Sequence, residues 1–265
     1  MPVDIGALCG DLAAETEVLL RVLRSVDADG WATPTPAEGW NVLDQLGHLW
    51  YFDGAVTHAL QAPDRFRSER DVMMRGGGGG FVDSITAGNR SRSSDELLRA
   101  FEVTRATMVA AFTTADPTMR VPWYGPDMSV ASALTARIME TWAHGQDVYD
   151  GLRVEHTVTP ALRQVAHIGV RALANSFVTK GLPVPDEPVR VELVAPDGPI
   201  WTWGPAAAPD RVTGSAVGFG LVVTQRRHIL DTDVVADGPV ATQWMAIAQA
   251  FAGNAGSGRR PGQFA

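Results

Sequence analysis

The chain has 265 residues, of which 45% are hydrophobic and 20% are charged. This composition excludes a chain that is disordered throughout and supplies enough apolar material for one large domain or two ordinary ones. The 30 acidic residues outnumber the 22 basic ones, and the basic residues are scattered along the sequence. A nucleic-acid partner is therefore not expected.

Cys9 is the only cysteine, so the chain forms no internal disulfide and has no cysteine-based zinc cluster. The first residues carry acids where a signal peptide carries Lys or Arg, and no stretch approaches the ~20 apolar residues of a membrane span. We therefore expect a cytoplasmic protein with no membrane partner. The search for a reactive centre falls on the six histidines and the carboxylates near them.

Apolar residues recur at intervals of three and four through most of the first half of the chain, a period that predicts helices. A first helix extends from about Leu8 to Val26, and Asn41 is predicted to cap a second one that ends near Leu60, with Asp44 in a capping box. The following run, SERDVMMRGGGGGF, is predicted to be a mobile loop, because consecutive glycines cost too much backbone entropy within a regular element.

Two more helical regions follow. One begins near Val82, is interrupted near Ser93 by a new N-cap signal, and ends at Asp116 before Pro117. The next is capped by Ser129 and continues to about residue 151. Four helices joined by loops favour a bundle, in which facing side chains can build a site in the core.

After about residue 150 the pattern changes, as judged by its periodicity. A helix that starts at Thr159-Pro160 is followed by the strand-like runs VRVELV, IWTW and DTDVVA, with helical stretches over about 215–224 and 240–251. The predicted fold class is α+β with two domains: an up-and-down four-helix bundle over 1–152 and a smaller α+β domain over 153–253. Residues 254–265 are predicted to be a flexible tail.

Two predicted helices each carry a carboxylate four residues before a histidine, as Glu140–His144 and Asp44–His48. Residues four apart lie on the same helical face, so an inward-facing Glu and His present an oxygen and a nitrogen to one point. A histidine from a neighbouring helix then completes a three-ligand metal site with open positions. The alternative is an ordinary solvated ion pair, because this spacing also arises by chance. The apolar neighbours of these residues favour the metal site, since an unpaired buried Glu is costly.

The segments TPAEGWNVLDQLGHLWYFD and METWAHGQDVYD resemble the DinB-like metal-binding superfamily and, more narrowly, the mycothiol-dependent maleylpyruvate isomerase family of actinobacteria. The resemblance implies that His48, Glu140 and His144 bind a divalent metal, most often zinc, and that mycothiol is a cosubstrate. It also implies a sterol-carrier-like C-terminal domain that contributes an arginine to the active site. Arg226 and Arg227 are the candidates for that arginine, with a solvated helix end as the alternative.

Three more residues have two interpretations each. Arg90 is a candidate for binding an anionic substrate group, and the alternative is that it is an ordinary surface residue. Asp44 either orients His48 or caps its helix, and the cap is favoured because it is the third residue of the helix. Asp147 is either a hydrogen-bond partner of a metal ligand or a surface carboxylate.

These features predict a metal-dependent isomerase or S-transferase that acts on a small electrophilic molecule with a thiol, as a monomer or homodimer. A metal-dependent hydrolase, lyase or cyclase that needs no thiol is a second hypothesis. A non-enzymatic carrier of an apolar ligand is a third.

Overall fold

The structure is a computed structural model that describes residues 3–75 and 80–264. It contains two compact units, Met1–Thr157 and Val158–Ala265. The N-terminal unit is helical and the smaller C-terminal unit contains a sheet, which confirms the predicted fold class. Within the described residues, no helix combines the length and the apolar character that a membrane span needs.

The N-terminal unit contains seven described helices and one short hairpin. The helices are α1 (Ile5–Leu23), α2 (Ala28–Trp31), α3 (Val42–Gln61), α4 (Pro63–Arg75), α5 (Phe81–Asn89), α6 (Ser94–Thr113) and α7 (Val130–Leu152), and the hairpin pairs β1 (Arg120–Val121) with β2 (Met128–Ser129).

The helix starts follow the local capping signals. Asn41 and Asp44 form a reciprocal capping box at the start of α3, and Ser93 forms another with Glu96 at the start of α6. The side chain of Ser129 accepts a hydrogen bond from the backbone of Ser132 at the start of α7. The predicted caps of these three helices are therefore confirmed.

The four long helices α1, α3, α6 and α7 pack around one core, in which α3 contacts both α6 and α7. At one end of the bundle a single apolar cluster joins Leu23 of α1, Leu46 of α3, Phe101 of α6 and Tyr149 of α7. These residues lie near the ends of α1 and α7 but near the starts of α3 and α6. It follows that α3 and α6 run in the same direction, joined by a crossover that contains α4 and α5. The alternating up-and-down order predicted for the four helices is therefore wrong for this pair, because the crossover returns the chain to the end at which α3 began.

The segment predicted as a loop after α3 is partly helical. Its residues SERDVMMR lie in α4, which an ion pair between Arg65 and Glu69, four residues apart, helps to stabilise. Phe66 is the only residue of α4 that is buried, so the segment lacks the apolar period that predicts a helix from sequence. The prediction of a mobile glycine loop falls mostly on residues 76–79, which lie outside the described residues.

The C-terminal unit packs helices against a four-stranded sheet. Its elements are α8 (Leu162–Arg171), α9 (Leu173–Thr179), β3 (Val189–Val194), β4 (Ile200–Trp203), β5 (Asp210–Ser215), α10 (Ala216–Val223), a 3₁₀ turn (Ile229–Asp231), β6 (Val235–Asp237) and α11 (Pro239–Ile247). The strand order is β4-β3-β5-β6; β3 and β5 are parallel and the other pairs antiparallel.

The core of this unit lies between the sheet and its helices. Val191 and Val212 are directly opposite each other on β3 and β5 and are fully buried, as are Phe219 of α10 and Trp244 of α11. The glycine-rich segment after α11 bonds to the unit: the backbone of Gly256 donates to the side chain of Gln249.

Candidate metal centre

Three side chains from α3 and α7 converge inside the N-terminal unit. The potential ligand atoms of His48, Glu140 and His144 all lie within 4.8 Å of one another. The Glu140 Oε2 atom lies 3.4 Å from His48 Nε2 and 3.1 Å from His144 Nε2. The helical period places Glu140 and His144 on one face of α7, and the packing of α3 against α7 brings in His48. The three residues singled out in the sequence therefore meet at one point.

The ring of His144 is oriented by a residue that the sequence did not indicate. Its Nδ1 lies 2.5 Å from the Oε1 of Gln45, one turn before His48 on α3. Gln45 is fully buried. An acceptor on Nδ1 leaves Nε2 facing Glu140, and a metal-binding histidine is commonly held in this way.

Burial and mutual charge set the protonation of the cluster. Burial, together with the nearby His144, lowers the pKa of His48 to about 4, so its imidazole is neutral at neutral pH. Burial alone would raise the pKa of Glu140, but hydrogen bonds from both histidines hold it well below its usual value. A neutral imidazole beside an ionised carboxylate has the protonation that metal binding requires.

Aromatic rings cover the cluster. The Trp40 ring stacks on the His144 ring at 5.9 Å and lies 5.4 Å from the His48 ring. The Phe52 ring lies 4.5 Å from the His48 ring and also contacts Tyr124. These rings limit the access of water to the cluster.

Next to the cluster lies a buried ionic network that the sequence analysis missed. Asp53 of α3 accepts hydrogen bonds from Arg105 of α6 at 2.6 Å and from Arg137 of α7 at 3.0 Å. Arg105 also donates to the hydroxyls of Thr16 and Thr141, which ties α1 into the same network. All four long helices are therefore linked by charged hydrogen bonds in the core.

The structure separates the two interpretations of Asp44. Its carboxylate accepts from the backbone of Asn41, as a cap does, and from the guanidinium of Arg90 at 2.7 and 3.0 Å. Asp44 therefore does not orient His48. Arg90 is held by Asp44 and the Gly39 carbonyl, so binding of an anionic substrate group by Arg90 stays a prediction.

The remaining candidates lie elsewhere. Asp147 is 1% exposed, which rules out a surface carboxylate. Arg226 and Arg227 follow α10 in the C-terminal unit; Arg226 donates to the Thr224 carbonyl, and Arg227 stacks on the Phe264 ring at 4.5 Å. Their assignment as catalytic residues remains a prediction.

The donor set fits a divalent transition metal. Two imidazoles and one carboxylate form a set that catalytic zinc sites use, and three ligands leave positions for water or substrate. The Nδ1 atom of His48 is buried without a hydrogen-bond partner among the described residues. An imidazole binds one metal ion through one nitrogen, and Nε2 is the nitrogen of His48 that faces Glu140, so Nδ1 takes no part in the ligand set.

Comparison with known proteins places this arrangement in a family. The family model described as the mycothiol maleylpyruvate isomerase N-terminal domain matches residues 12–149, more than half of the chain. A second model, described as wyosine base formation, matches residues 185–237. Two uncharacterized proteins of Mycobacterium tuberculosis, from strains CDC 1551 / Oshkosh and ATCC 25618 / H37Rv, are each 43% identical over 256 residues, which is 97% of this chain and 99% of theirs.

Solved structures agree with the family match at the level of the fold. The crystal structures of the mycothiol-dependent maleylpyruvate isomerase and of a histidine-to-alanine mutant of it align with TM-scores of 0.60 and 0.59. Each alignment covers 89% of this chain and 95% of the other, at 16% sequence identity. From the family model and the resemblance of the two motifs together, the chain belongs to the mycothiol-dependent maleylpyruvate isomerase family.

Proposed function

We propose that this protein is a metal-dependent enzyme that uses mycothiol to isomerise a small electrophilic substrate or adds the thiol to it. The observation that carries the proposal is the convergence of His48, Glu140 and His144 in a member of this family. The three side chains are held by two packed helices, and this rigidity suits a site that must present fixed ligands.

The chain's own residues supply ligands, shielding and orientation. Glu140 supplies the one negative charge, so the ligand set and a divalent ion together carry a net charge of about +1. Such an ion, most often zinc, would deprotonate a bound thiol at neutral pH and make it a nucleophile. Trp40 and Phe52 reduce the contact of the ligands with water, and this strengthens the electrostatic interactions inside the site. Because Cys9 is buried and alone, the thiol has to arrive as a small molecule.

The first experiment is elemental analysis of the purified protein, with the isosteric variant Glu140→Gln and the matched control Glu17→Gln. Glu17 is an exposed carboxylate on α1 that pairs with Arg24 at 3.7 Å. We expect about one equivalent of metal in the native protein and in the control, and none in Glu140→Gln. Excess zinc should stabilise the native protein by about 2.7 kcal/mol at 100 times the Kd and leave Glu140→Gln unchanged. Equal metal contents in the two variants would refute the site.

The second experiment tests the thiol. Calorimetric titration with mycothiol should show binding to the metal-loaded protein and a much weaker signal after chelation or in Glu140→Gln. Binding that is indifferent to the metal, or activity that is indifferent to the thiol, would favour the metal-dependent hydrolase, lyase or cyclase instead.

For the C-terminal unit we propose that Arg226 or Arg227 contacts an anionic group of the substrate. The family resemblance supports this assignment. Arg226→Gln and Arg227→Gln should raise KM at an unchanged metal content. The exposed Arg171, at the end of α8 in the same unit, offers the matched control Arg171→Gln. If all three variants behave alike, neither arginine has this role.

A further inference from the structure

A chain of hydrogen bonds runs from the backbone beneath Trp40 to the ring of His144. The Thr35 hydroxyl lies 3.0 Å from the Trp40 carbonyl, and the Gln45 Nε2 atom lies 2.8 Å from the Thr35 hydroxyl. The Gln45 Oε1 atom lies 2.5 Å from His144 Nδ1. Thr35 belongs to the loop before α3 and does not bond to any of the three candidate ligands.

The direction of every bond in this chain follows from its first member. The Trp40 carbonyl can only accept, so the single hydroxyl proton of Thr35 is donated to it. The Thr35 oxygen must then accept from Gln45, which places the amide NH₂ toward Thr35 and the amide oxygen toward His144. Because an amide oxygen can only accept, the Nδ1 atom of His144 carries a hydrogen.

We propose that Thr35 and Gln45 are positioning residues that keep the hydrogen of His144 on Nδ1 and thereby reserve Nε2 for the metal. The inference rests on the proposed metal site for its consequence, but the bonds from Thr35 through Gln45 to Nδ1 do not depend on the metal. The hydrogen that Nε2 donates to Glu140 in the metal-free protein is the one that a metal would replace. It assigns to Thr35 an effect on metal binding that is transmitted entirely through Gln45.

The competing arrangement uses the same atoms. If the Gln45 amide rotates by half a turn, its NH₂ group faces His144 Nδ1, which must then accept. The remaining hydrogen of a neutral ring then lies on Nε2, where it can be donated to Glu140 at 3.1 Å. In this state the only lone pair of His144 points toward Gln45 and away from the cluster. The rotated amide oxygen would also compete with the Trp40 carbonyl for the single proton of Thr35.

The test compares Thr35→Val, which has nearly the same shape but no hydroxyl, with Thr35→Ser, which retains the hydroxyl. Thr57→Val is the matched control, because Thr57 is a buried threonine of α3 whose hydroxyl donates to the Asp53 carbonyl within the same helix. The readouts are the affinity for zinc alone, by competition with a chelator, and the position of the ring hydrogens of His144 in the metal-free protein, by ¹⁵N-resolved NMR.

We expect Thr35→Val to weaken zinc binding by about 10–100-fold, the usual effect of losing a hydrogen-bond partner behind a metal ligand. The NMR spectrum of Thr35→Val should show that Nδ1 of His144 accepts a hydrogen bond, whereas in the native protein it donates one. Thr35→Ser should restore both readouts, and Thr57→Val should alter neither.

Three outcomes separate this inference from the proposed function. An unchanged Nδ1 signal in Thr35→Val overturns the inference, even if the native protein binds zinc. An equal loss of zinc affinity in Thr35→Val and Thr35→Ser also overturns it, because that loss follows the shape of the loop and not the hydroxyl. If the native protein binds no zinc but Thr35→Val moves the ring hydrogen, the positioning is correct and the metal site is not.

Discussion

Asp53 makes the strongest prediction about stability, because its carboxylate bonds two buried guanidinium groups. The side chains of Arg105 and Arg137 are only 5% and 4% exposed, and that of Asp53 is fully buried. Burial lowers the pKa of Arg105, and the Asp53 carboxylate partly offsets this by favouring the charged guanidinium. The substitution Asp53→Asn keeps the shape of the side chain and removes the charge.

The expected loss of stability follows from the two arginines that stay buried after Asp53→Asn. An asparagine can accept from one guanidinium through its oxygen, but its NH₂ group then faces the second guanidinium, donor against donor. Removing one partner of a buried ion pair typically costs 3–5 kcal/mol, because the other charge is left uncompensated. For a protein of this size, such a loss lowers the Tm by roughly 6–20 °C. Most single substitutions cost less than this.

The assay is thermal and urea unfolding followed by far-UV circular dichroism, which reports mainly on helices. Asp127→Asn is the matched control: Asp127 pairs with Arg67 at 3.0 Å, and both side chains are more than one-third exposed. Exposed pairs of this kind contribute about 0–1 kcal/mol. If Asp53→Asn is no more destabilising than Asp127→Asn, the network does not stabilise the bundle as we argue. The triple variant in which Asp53, Arg105 and Arg137 are all replaced by apolar residues should recover much of the lost stability.

Two further predictions concern packing and pH. A Cβ added at Gly47 would lie 2.7 Å from the side chain of Asn89, whereas one at Gly54 would meet nothing closer than 3.9 Å. Gly47→Ala should therefore destabilise the protein by about 1–3 kcal/mol in urea unfolding. Gly54→Ala should stabilise it by up to about 1 kcal/mol. If Gly54→Ala is the more destabilising of the two, the packing of α5 on α3 is not as described. Since burial lowers the pKa of His48 from 6.5 to about 4, the unfolded chain binds a proton in that interval that the folded metal-free protein does not. The stability of the metal-free protein should then fall as the pH decreases from 6.5 toward 4, and His48→Gln, measured across the same pH series, should lose this part of the dependence.

The sequence predicts the features that depend on neighbours along the chain. The caps at Asn41, Ser93 and Ser129 are recognisable because each bond joins residues three apart. The strand β5 was not predicted, since its residues DRVTGS lack a clear alternation and include Gly214. Its partner in parallel pairing, β3, is about 20 residues away, and such long-range pairing leaves no local signal.

The residues of the candidate site differ in the same way: some can be recognised from the sequence and others only from the packing. His48, Glu140 and His144 are residue types with recognisable ligand chemistry, and the spacing of two of them on one helix is informative. Gln45 and Thr35 carry no such signal, because amide and hydroxyl side chains occur in many roles. Their hydrogen-bonded connection to His144 depends on the packing of α3 against α7. The pairing of Arg90 with Asp44, 46 residues apart, likewise depends on how α5 packs against α3.

One signal in the sequence does point to the buried network, although it is weaker than a motif. The apolar positions of α3 that face the core include Leu49 and Val56, and the same face carries Gln45 and Asp53, both with no exposed surface. Polar side chains at core positions of an otherwise apolar helix reduce stability unless every one of them has a partner, so they are retained where the site needs them. In this bundle Gln45 holds a ligand of the candidate metal centre, and Asp53 anchors α6 and α7 to α3 through Arg105 and Arg137. The rigidity of the ligand set and the stability of the bundle therefore depend on the same helix face. A variant in which Gln45, Asp53, Arg105 and Arg137 are all replaced by apolar residues should therefore retain much of its stability and bind the metal more weakly.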